Sequence, residues 1–351
     1  MGIPLLALSV LAGAQQHGLA PDSARFHVQN TLTLTAPEGA KELRAWFPLP
    51  RLDPEQEIAE LVVEAPPGWR ETEDALGNRY AYVELAAPSG KVTITTRFLV
   101  TRKAVHADVD PKKTRALSEA ERSEHAADLR SNANVVVDAE IEKLAAEIRG
   151  GETNPVLVAR KLYDWELGHV EYWVKDPSKW KASPVGSSSY CLANGTGNCT
   201  DFHSLWTALA RASGIPTRLK YGSLFKTSLD GVDRDASYHC WPEFYAPGLG
   251  WIAHDVALAD IFAAPIAIDA ANKEKVELTV AAGYTGPDAA AVDFYFGNLE
   301  PRRVTWSMGR DLALEPAQSA GPVNAIPKGY VEVDGREFTQ WERKMTFTEV
   351  R

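Results

Sequence analysis

The sequence predicts an α+β fold, in which a helix-containing central region lies between two strand-rich regions. Apolar and polar residues alternate from residue 26 to residue 101 and again after residue 260, which is the pattern of half-buried strands. Residues 135–148, 155–165 and 200–213 instead carry apolar side chains at helical spacing. A chain of 351 residues, 45% of them hydrophobic, is long enough for two or three domains with their own cores.

The first apolar run, residues 3–14, is shorter than the ~20 residues that span a bilayer. It ends in the small residues AGA, which is the cleavage pattern of a secretory signal peptide, and the chain turns polar from Gln15. We therefore expect a signal peptide over residues 1–14 and an exported protein, periplasmic or secreted. The basic segment that usually opens such a peptide is missing, so an ordinary N-terminal strand or coil is the alternative.

Residues 22–104 predict an antiparallel β-sandwich, with turns at PPG and GN. Residues 105–133 are rich in charge and lack a period, which indicates a solvated connector with some helix. Residues 134–265 form the predicted core, where Asn154 and Pro155 supply an N-cap and a proline at the first position of a helix.

Residues 266–351 predict a C-terminal β-rich segment. We expect strands at residues 292–296 and 304–306, and a hairpin in which the DG turn joins residues 330–333 to residues 338–347. The Pro- and Ala-rich stretch before this hairpin is a predicted surface loop.

Cys199 is the candidate nucleophile. It stands at the start of the predicted helix over residues 200–213 and follows the glycine-rich run GTGN. Unpaired backbone N–H groups and the helix dipole at such a position favour a thiolate. A buried, inert cysteine is the alternative, because that is the commoner role of a single thiol.

His239 and Asp255 are the candidate base and orienting carboxylate. The blocks SYHCWPEFY and GWIAHDV predict two strands joined by the turn APGL. If Phe244 pairs with Gly250, His239 lies directly opposite Asp255, with Cβ atoms ~5 Å apart. A carboxylate there can hold the imidazole tautomer and stabilise its charged form, whereas a register shifted by one residue would separate the two.

The block GNCTDFHSLWTALARASGIPTR, which contains Cys199, resembles the nucleophile helix of the transglutaminase-like superfamily. The blocks HCWPEFY and GWIAHD resemble its His strand and its Asp strand, and the three follow in the expected order over roughly residues 135–265. The flanks AWFPLP, DALGN and YFGNLEPRRV are similar to those of bacterial members.

This resemblance implies a papain-like core in which the nucleophile helix packs on an antiparallel sheet. It also implies that Cys199 is the nucleophile, His239 the general base and acid, and Asp255 the orienting carboxylate. A second oxyanion donor beside the Cys199 backbone N–H is not identified by sequence. Three upstream aromatic residues could supply one or could serve only in packing: Trp173, Trp180 and Tyr190.

The implied reaction is acyl transfer through a thioester on a peptide or glutamine carboxamide bond of a protein or peptide substrate, without a cofactor. Hydrolysis by a protease or amidase is the leading expectation, by analogy with bacterial members. The alternatives are a cross-linking transglutaminase that accepts an amine and a non-catalytic binding module of the cell envelope. Peptide N-glycanase chemistry is disfavoured because the CxxC pairs that accompany it are absent.

The net charge and the cysteine content restrict the classes of partner and ligand that the protein can bind. The formal charge is -10 and no basic cluster is interleaved with aromatic residues, which argues against nucleic acid and anionic membranes. Cys199, His203, His239 and Cys240 are ligand types that zinc accepts, but the adjacent His239 and Cys240 point to opposite faces of a strand, so no metal is expected. Cys191 and Cys240 either form a disulfide or remain two buried thiols.

Overall fold

The computed structural model describes residues 21–232, 237–266, 273 and 286–350. The predicted signal peptide over residues 1–14 lies outside the described residues. Among the helices of the described ranges, none combines the length and the apolar character needed to cross a membrane.

The N-terminal part consists of strands. Their bounds are β1 (Ser23–Thr35), β2 (Glu42–Pro48), β3 (Gln56–Glu64), β4 (Arg70–Glu73), β5 (Arg79–Ala86), β6 (Lys91–Lys103) and β7 (Val105–His106). Three short helical pieces follow: a 3-10 turn (Pro111–Lys113), α1 (Glu119–Glu124) and α2 (Ala126–Leu129).

The central part mixes helices and strands. Its helices are α3 (Ala139–Arg149), α4 (Pro155–His169), α5 (Ser188–Asn194), α6 (Cys199–Ala212) and α7 (Val256–Ala263), with 3-10 turns at Trp173–Lys175 and Thr227–Leu229. Its strands are β8 (Glu171–Tyr172), β9 (Thr196–Gly197), β10 (Thr217–Leu224), β11 (Tyr238–Ala246) and β12 (Gly250–Ala253). The predicted start of α4 is confirmed, because the Asn154 side chain accepts from Val156 N and Leu157 N.

The last part contains one described helix and five strands. They are α8 (Ala289–Phe294), β13 (Asn298–Leu299), β14 (Arg303–Met308), β15 (Tyr330–Val333), β16 (Arg336–Glu337) and β17 (Trp341–Glu349). The predicted strand at residues 292–296 is wrong: Asp288 caps α8 there through hydrogen bonds from Ala290 N and Ala291 N.

Two antiparallel sheets face each other at the N-terminal end, with strand orders β17-β1-β6-β3 and β16-β15-β2-β5-β4. Leu32 and Ile94 from the first sheet share one buried cluster with Phe47 and Val83 from the second, so the pair is a sandwich. Strands from both ends of the chain therefore build this sandwich. The domain boundary at residue 266 stays a prediction.

The DG turn forms as predicted, with Asp334 and Gly335 both at positive φ. The second strand of this hairpin is only β16, however, with Val333 opposite Arg336. The chain then leaves the sheet, and β17 pairs with β1 of the opposite sheet. The single strand expected over residues 338–347 is thus replaced by two elements in different sheets.

A third antiparallel sheet has the strand order β12-β11-β10-β14. Helix α6 packs on it: Leu205 and Leu209 are fully buried, and the rings of Trp206 and Phe244 lie 5.8 Å apart. The predicted α+β class, with a helix packed on an antiparallel sheet and β-rich flanks, is confirmed. This packing places the start of α6 beside β11.

Candidate active site

Cys199 is the first residue of α6, and its position follows from the residues around it. The Asn198 side chain accepts hydrogen bonds from Thr200 N at 2.9 Å and Asp201 N at 3.1 Å. Asp201 Oδ2 accepts in return from Asn198 N at 2.9 Å, which completes a capping box. Asn198 is therefore the N-cap of α6.

Asp201 also holds the segment that leads into this helix. Its carboxylate accepts from Ser183 N at 3.0 Å and Ser187 N at 2.7 Å. A Cβ at Gly197 would lie 2.3 Å from the Asp201 Cβ, so only glycine allows this close approach. The run GTGN is thus shaped by contacts with the helix it precedes.

The side chains of His239 and Asp255 meet in the interior. His239 Nε2 lies 2.8 Å from Asp255 Oδ2, and both residues are buried. Burial alone would lower the pKa of His239, but the negative charge of Asp255, their hydrogen bond and the interaction with Cys199 raise it to about 9. The imidazole is therefore positively charged at neutral pH.

Asp255 remains ionised although it is fully buried. Burial would raise the pKa of its carboxyl group, but the charge of His239 and hydrogen bonds from His203 and His239 hold it well below its usual range. The guanidinium of Arg303 also lies 3.3 Å from Asp255 Oδ2. The remaining oxygen, Oδ1, accepts from Leu258 N at 3.1 Å and caps α7.

The pairing that brings these two residues together differs from the predicted one. Phe244 pairs with Ile252, and Gly250 pairs with Ala246, so the register is shifted by two residues. An even shift preserves the face to which each side chain points. Asp255 lies beyond the end of β12 and reaches His239 from the N-cap of α7.

Cys199 shares a cavity of about 120 Å³ with His239. Burial would raise the pKa of the Cys199 thiol. The interaction with the neighbouring Cys240 thiol and the interaction with positively charged His239 bring it well below its usual range. Since His239 Nε2 is bound to Asp255, Nδ1 is the ring nitrogen left for the thiol. The remaining lining residues are Tyr172, Trp173, Asn198, Leu224, Lys226, Tyr238 and Leu258.

Two further polar side chains, His203 and Thr200, contact the residues of this site. His203, one turn along α6, lies with Nδ1 3.3 Å from Cys240 Sγ and Nε2 3.4 Å from Asp255 Oδ1. Thr200 Oγ1 lies 3.9 Å from Cys199 Sγ and 3.6 Å from Cys240 Sγ. The residue after the candidate base, Cys240, therefore belongs to the same cluster.

All three cysteines are free and buried, so Cys191 and Cys240 do not form the disulfide that the sequence left open. Burial raises the pKa of both thiols well above the usual value. Within the described ranges, no group of three or more His, Cys, Asp or Glu side chains is placed to hold a metal ion.

The sequence did not identify Tyr172, Lys226 and Arg303 at this site. Tyr172 Oη accepts from Cys199 N at 3.2 Å. Lys226 lines the cavity, and burial lowers its pKa to about 8 against the opposing charge of Cys199. The one signal was indirect: Tyr172 precedes Trp173, and Arg303 lies within the flank block YFGNLEPRRV.

The three upstream aromatic residues lie in different places. Trp173 lines the cavity. The Tyr190 hydroxyl donates to the Lys181 carbonyl at 3.2 Å, and the Lys179 ammonium lies 4.7 Å from the Trp180 ring centroid.

Helix α6 with Cys199 at its start, the antiparallel sheet and the clustered Cys, His and Asp side chains together define a papain-like α+β protein. Residues 142–256 match the family model of the transglutaminase-like superfamily. The chain carries a domain of this superfamily, which confirms the resemblance seen in the sequence.

Three individual proteins are similar to the chain. An uncharacterized protein of Haemophilus influenzae is 27% identical over 239 residues, which is 62% of this chain and 59% of that relative. The chain thus spans about three fifths of the length of this relative.

A crystal structure of a proposed cysteine protease from Cytophaga hutchinsonii has a TM-score of 0.52 at 16% identity. It covers 93% of this chain and 99% of that one, and it supports the fold. The periplasmic domain of TgpA from Pseudomonas aeruginosa gives a TM-score of 0.35 at 14% identity, over 67% of this chain and 88% of that one.

Proposed function

We propose that the protein is a thiol-dependent acyl-transfer enzyme that hydrolyses peptide or glutamine carboxamide bonds through a thioester. The observation that carries the proposal is that His239, held by Asp255 at 2.8 Å, lines the same cavity as Cys199. The name of the Cytophaga hutchinsonii neighbour agrees with this chemistry. A protein or peptide is the proposed substrate, and no cofactor is needed for any step.

In the proposed acylation, the Cys199 thiolate attacks the carbonyl carbon and forms a tetrahedral intermediate. Collapse of this intermediate breaks the C–N bond, and protonated His239 gives its proton to the leaving amine. A thioester on Cys199 remains. Asp255 holds the imidazole and stabilises its charged form before the proton leaves.

In the proposed deacylation, neutral His239 removes a proton from water, and the resulting hydroxide attacks the thioester. The second tetrahedral intermediate releases the acid and restores the thiolate and the imidazolium. The site is then in its starting protonation state, with one water consumed in each cycle. A primary amine in place of water would yield a new amide.

The acyl acceptor can be tested directly. The full chain is incubated with a tryptic digest of bacterial envelope protein in water enriched in ¹⁸O, with monodansylcadaverine added as an amine probe. Hydrolysis places one ¹⁸O atom in each new carboxyl group, whereas transamidation attaches the dansyl group. We expect ¹⁸O incorporation that depends on Cys199 and is absent from Cys199→Ala.

If dansyl attachment is the main Cys199-dependent product, the protein is a cross-linking transglutaminase and the proposal of hydrolysis is wrong. If Cys199→Ala leaves every product unchanged, the enzymatic proposal fails and the binding module takes its place. Export is also proposed, on the apolar run at residues 3–14.

A further inference from the structure

Lys226 brings a positive charge to the cavity that contains Cys199 and His239. Its side chain is buried, and the charge of the Cys199 thiolate favours its protonated form, so the ammonium group lies near the attacking sulfur. The other described lining residues are Asn198, which is uncharged, and five aromatic or aliphatic residues: Tyr172, Trp173, Leu224, Tyr238 and Leu258. Lys226 is therefore the charged lining residue that the proposed acyl transfer does not use.

The segment that carries Lys226 is anchored on both sides. Leu224 and Lys226 line the cavity, whereas Phe225 between them packs the other way, with its ring 4.5 Å from that of Phe26 in β1. After the lysine, Leu229 N donates to the Lys226 carbonyl at 2.9 Å. The backbone therefore presents this side chain to the cavity at a fixed place.

A second cation lies near the same wall. Lys328 Nζ is 6.0 Å from the ring centroid of Tyr238, which lines the cavity. The chain as a whole has a formal charge of -10, so these two lysines oppose the overall sign. Local charge of one sign beside a cleft concentrates ligands of the other sign. The cavity is thus suited to a negatively charged group.

Burial gives Lys226 a reason to bind an anion. Removal from water lowers its pKa to about 8, against the opposing charge of Cys199. The ammonium group is still protonated at neutral pH and can donate to an acceptor. A carboxylate beside it would favour the charged form and accept a charge-assisted hydrogen bond, whereas a cation in the same place would be repelled.

We propose that Lys226 forms a subsite that binds a carboxylate of the substrate beside the bond to be cleaved. The cavity measures about 120 Å³, so a carboxylate bound there lies close to the carbonyl that Cys199 attacks. The substrate class is a peptide with an acidic side chain or a terminal carboxylate next to the cleaved bond. The inference rests on the proposed acyl transfer and adds a specificity-determining residue to it.

The subsite can be tested with two alkylating reagents of similar size. Iodoacetate carries a carboxylate and iodoacetamide does not, and both react with the Cys199 thiolate. The ratio of their rate constants at neutral pH is therefore independent of how much thiolate is present. Lys226→Met removes the charge, Lys226→Arg keeps it, and Lys328→Met is the matched control, because Lys328 lies near Tyr238 but is not among the lining residues.

We expect Lys226→Met to lower the iodoacetate to iodoacetamide ratio by roughly tenfold, because one buried cation near the bound carboxylate is lost. Lys226→Arg should keep most of the ratio. Lys328→Met should lower it by no more than about twofold, because solvent screens a charge outside the lining. Site-resolved mass spectrometry of the Cys199 peptide measures both rates.

An unchanged ratio in Lys226→Met would overturn the inference, since equal slowing of both reagents would mean that Lys226 acts only on the thiolate or the fold. An equal loss in Lys328→Met would also overturn it, because the effect would then be one of general charge. So would a loss in Lys226→Arg as large as in Lys226→Met, because the charge would then not be its cause.

The digest in ¹⁸O water tests the same subsite on substrates. We expect bonds that gain Cys199-dependent ¹⁸O to be enriched in flanking Asp or Glu, or to release the last residue, and Lys226→Met to lose this enrichment. The first pattern identifies a side-chain carboxylate and the second a terminal one. Labelled bonds without either preference would overturn the inference and leave acyl transfer in place. If no bond is labelled, the proposed function fails, and the alkylation ratio alone decides whether the subsite exists.

Discussion

Asp255 holds His239 from the cap of a helix and not from a paired strand position. Its Oδ2 lies 2.8 Å from His239 Nε2, while its Oδ1 accepts the Leu258 N–H at 3.1 Å. Both oxygens therefore act as acceptors at the same time. A single side chain therefore begins α7 and orients the imidazole.

The first prediction concerns Asp255→Asn. An amide has one acceptor oxygen, so it satisfies either Leu258 N or His239 Nε2, but not both. We expect hydrolysis of p-nitrophenyl acetate to fall by roughly 10³-fold or more, because the imidazole loses its partner. The amide oxygen then stays on Leu258 N, so the cap of α7 is kept and the loss falls on the imidazole.

The control for this change is Asp288→Asn. Asp288 caps α8 with one oxygen, which accepts both Ala290 N and Ala291 N. An amide can replace it there, so activity and stability should be nearly unchanged. Asp255→Asn with activity within tenfold of the unmodified protein would show that the carboxylate does not orient the base.

The second prediction concerns the reactivity of Cys199 as a function of pH. Its lowered pKa predicts rapid alkylation by iodoacetamide at and below neutral pH. In His239→Ala the positive charge beside the thiol is lost, so the inflection of the rate profile should move to higher pH. Site-resolved mass spectrometry of the labelled peptide measures both profiles.

Cys191 and Cys240 are internal controls for that measurement, since burial raises the pKa of both thiols. They should label far more slowly than Cys199 in the folded protein. If Cys199 labels at their rate and its profile ignores the loss of His239, the thiol is an ordinary buried cysteine.

The third prediction concerns Cys240→Ala. The interaction with the Cys240 thiol is the first cause of the lowered pKa of Cys199, ahead of His239. Its removal should shift the alkylation profile of Cys199 to higher pH, and activity should fall more at acidic than at alkaline pH. Cys191→Ala changes another buried cysteine and should leave the profile in place. Equal profiles for the two variants would contradict the assigned contact.

The fourth prediction concerns the pH dependence of stability. Folded His239, with a pKa of about 9, keeps a proton that an unfolded histidine releases above about pH 6.5, so its stabilisation is lost as the pH rises through 9. The contribution of Cys199 to stability changes with pH in the opposite direction. The folded thiol has released a proton that the unfolded thiol keeps up to about pH 8.5, so this contribution grows as the pH rises. The contributions of His239 and Cys199 to the pH dependence of stability therefore cancel between about pH 6.5 and pH 8.5.

Cys199→Ala removes that cancellation. Its free energy of unfolding, measured in urea at several pH values in this window, should fall relative to that of the unmodified protein as the pH rises. The limiting slope is about 1.4 kcal/mol per pH unit. Parallel curves for the two proteins would show that the thiolate and imidazolium are not formed in the folded state.

The fifth prediction concerns export. If residues 1–14 are a signal peptide, mature protein from a bacterial host should begin near Gln15 and fractionate outside the cytoplasm. N-terminal peptide sequencing of each cell fraction measures this. Protein that starts at Met1 and remains in the cytoplasmic fraction would rule out the signal peptide.

The sequence predicts those parts of the site whose signals are local. Helix α6 can be located from an apolar stripe of 3.6-residue period, and α4 from the Asn154–Pro155 cap. The β11–β12 register could not be predicted, because a period of two fixes only which face a side chain occupies. Its shift by two residues left His239 on the correct face.

Tyr172 could not be predicted for a different reason. It lies in a strand of two residues, and its neighbours Gly197 and Asp260 are distant in sequence. No hydrophobic period encodes such a pairing. Helix α8 was mistaken for a strand because its apolar residues alternate over residues 292–296, and the cap at Asp288 outweighed that alternation.

The pairing of β1 with β17 bears on how the chain is made. Phe26 lies opposite Glu349, so a strand synthesised early receives one of its two neighbours only after the ribosome has passed through the central part. Until then β1 has a bare edge that can pair with other chains. Contacts this distant in sequence also slow folding. We therefore expect the nascent sandwich to depend on chaperones that keep its first strands apart from other chains.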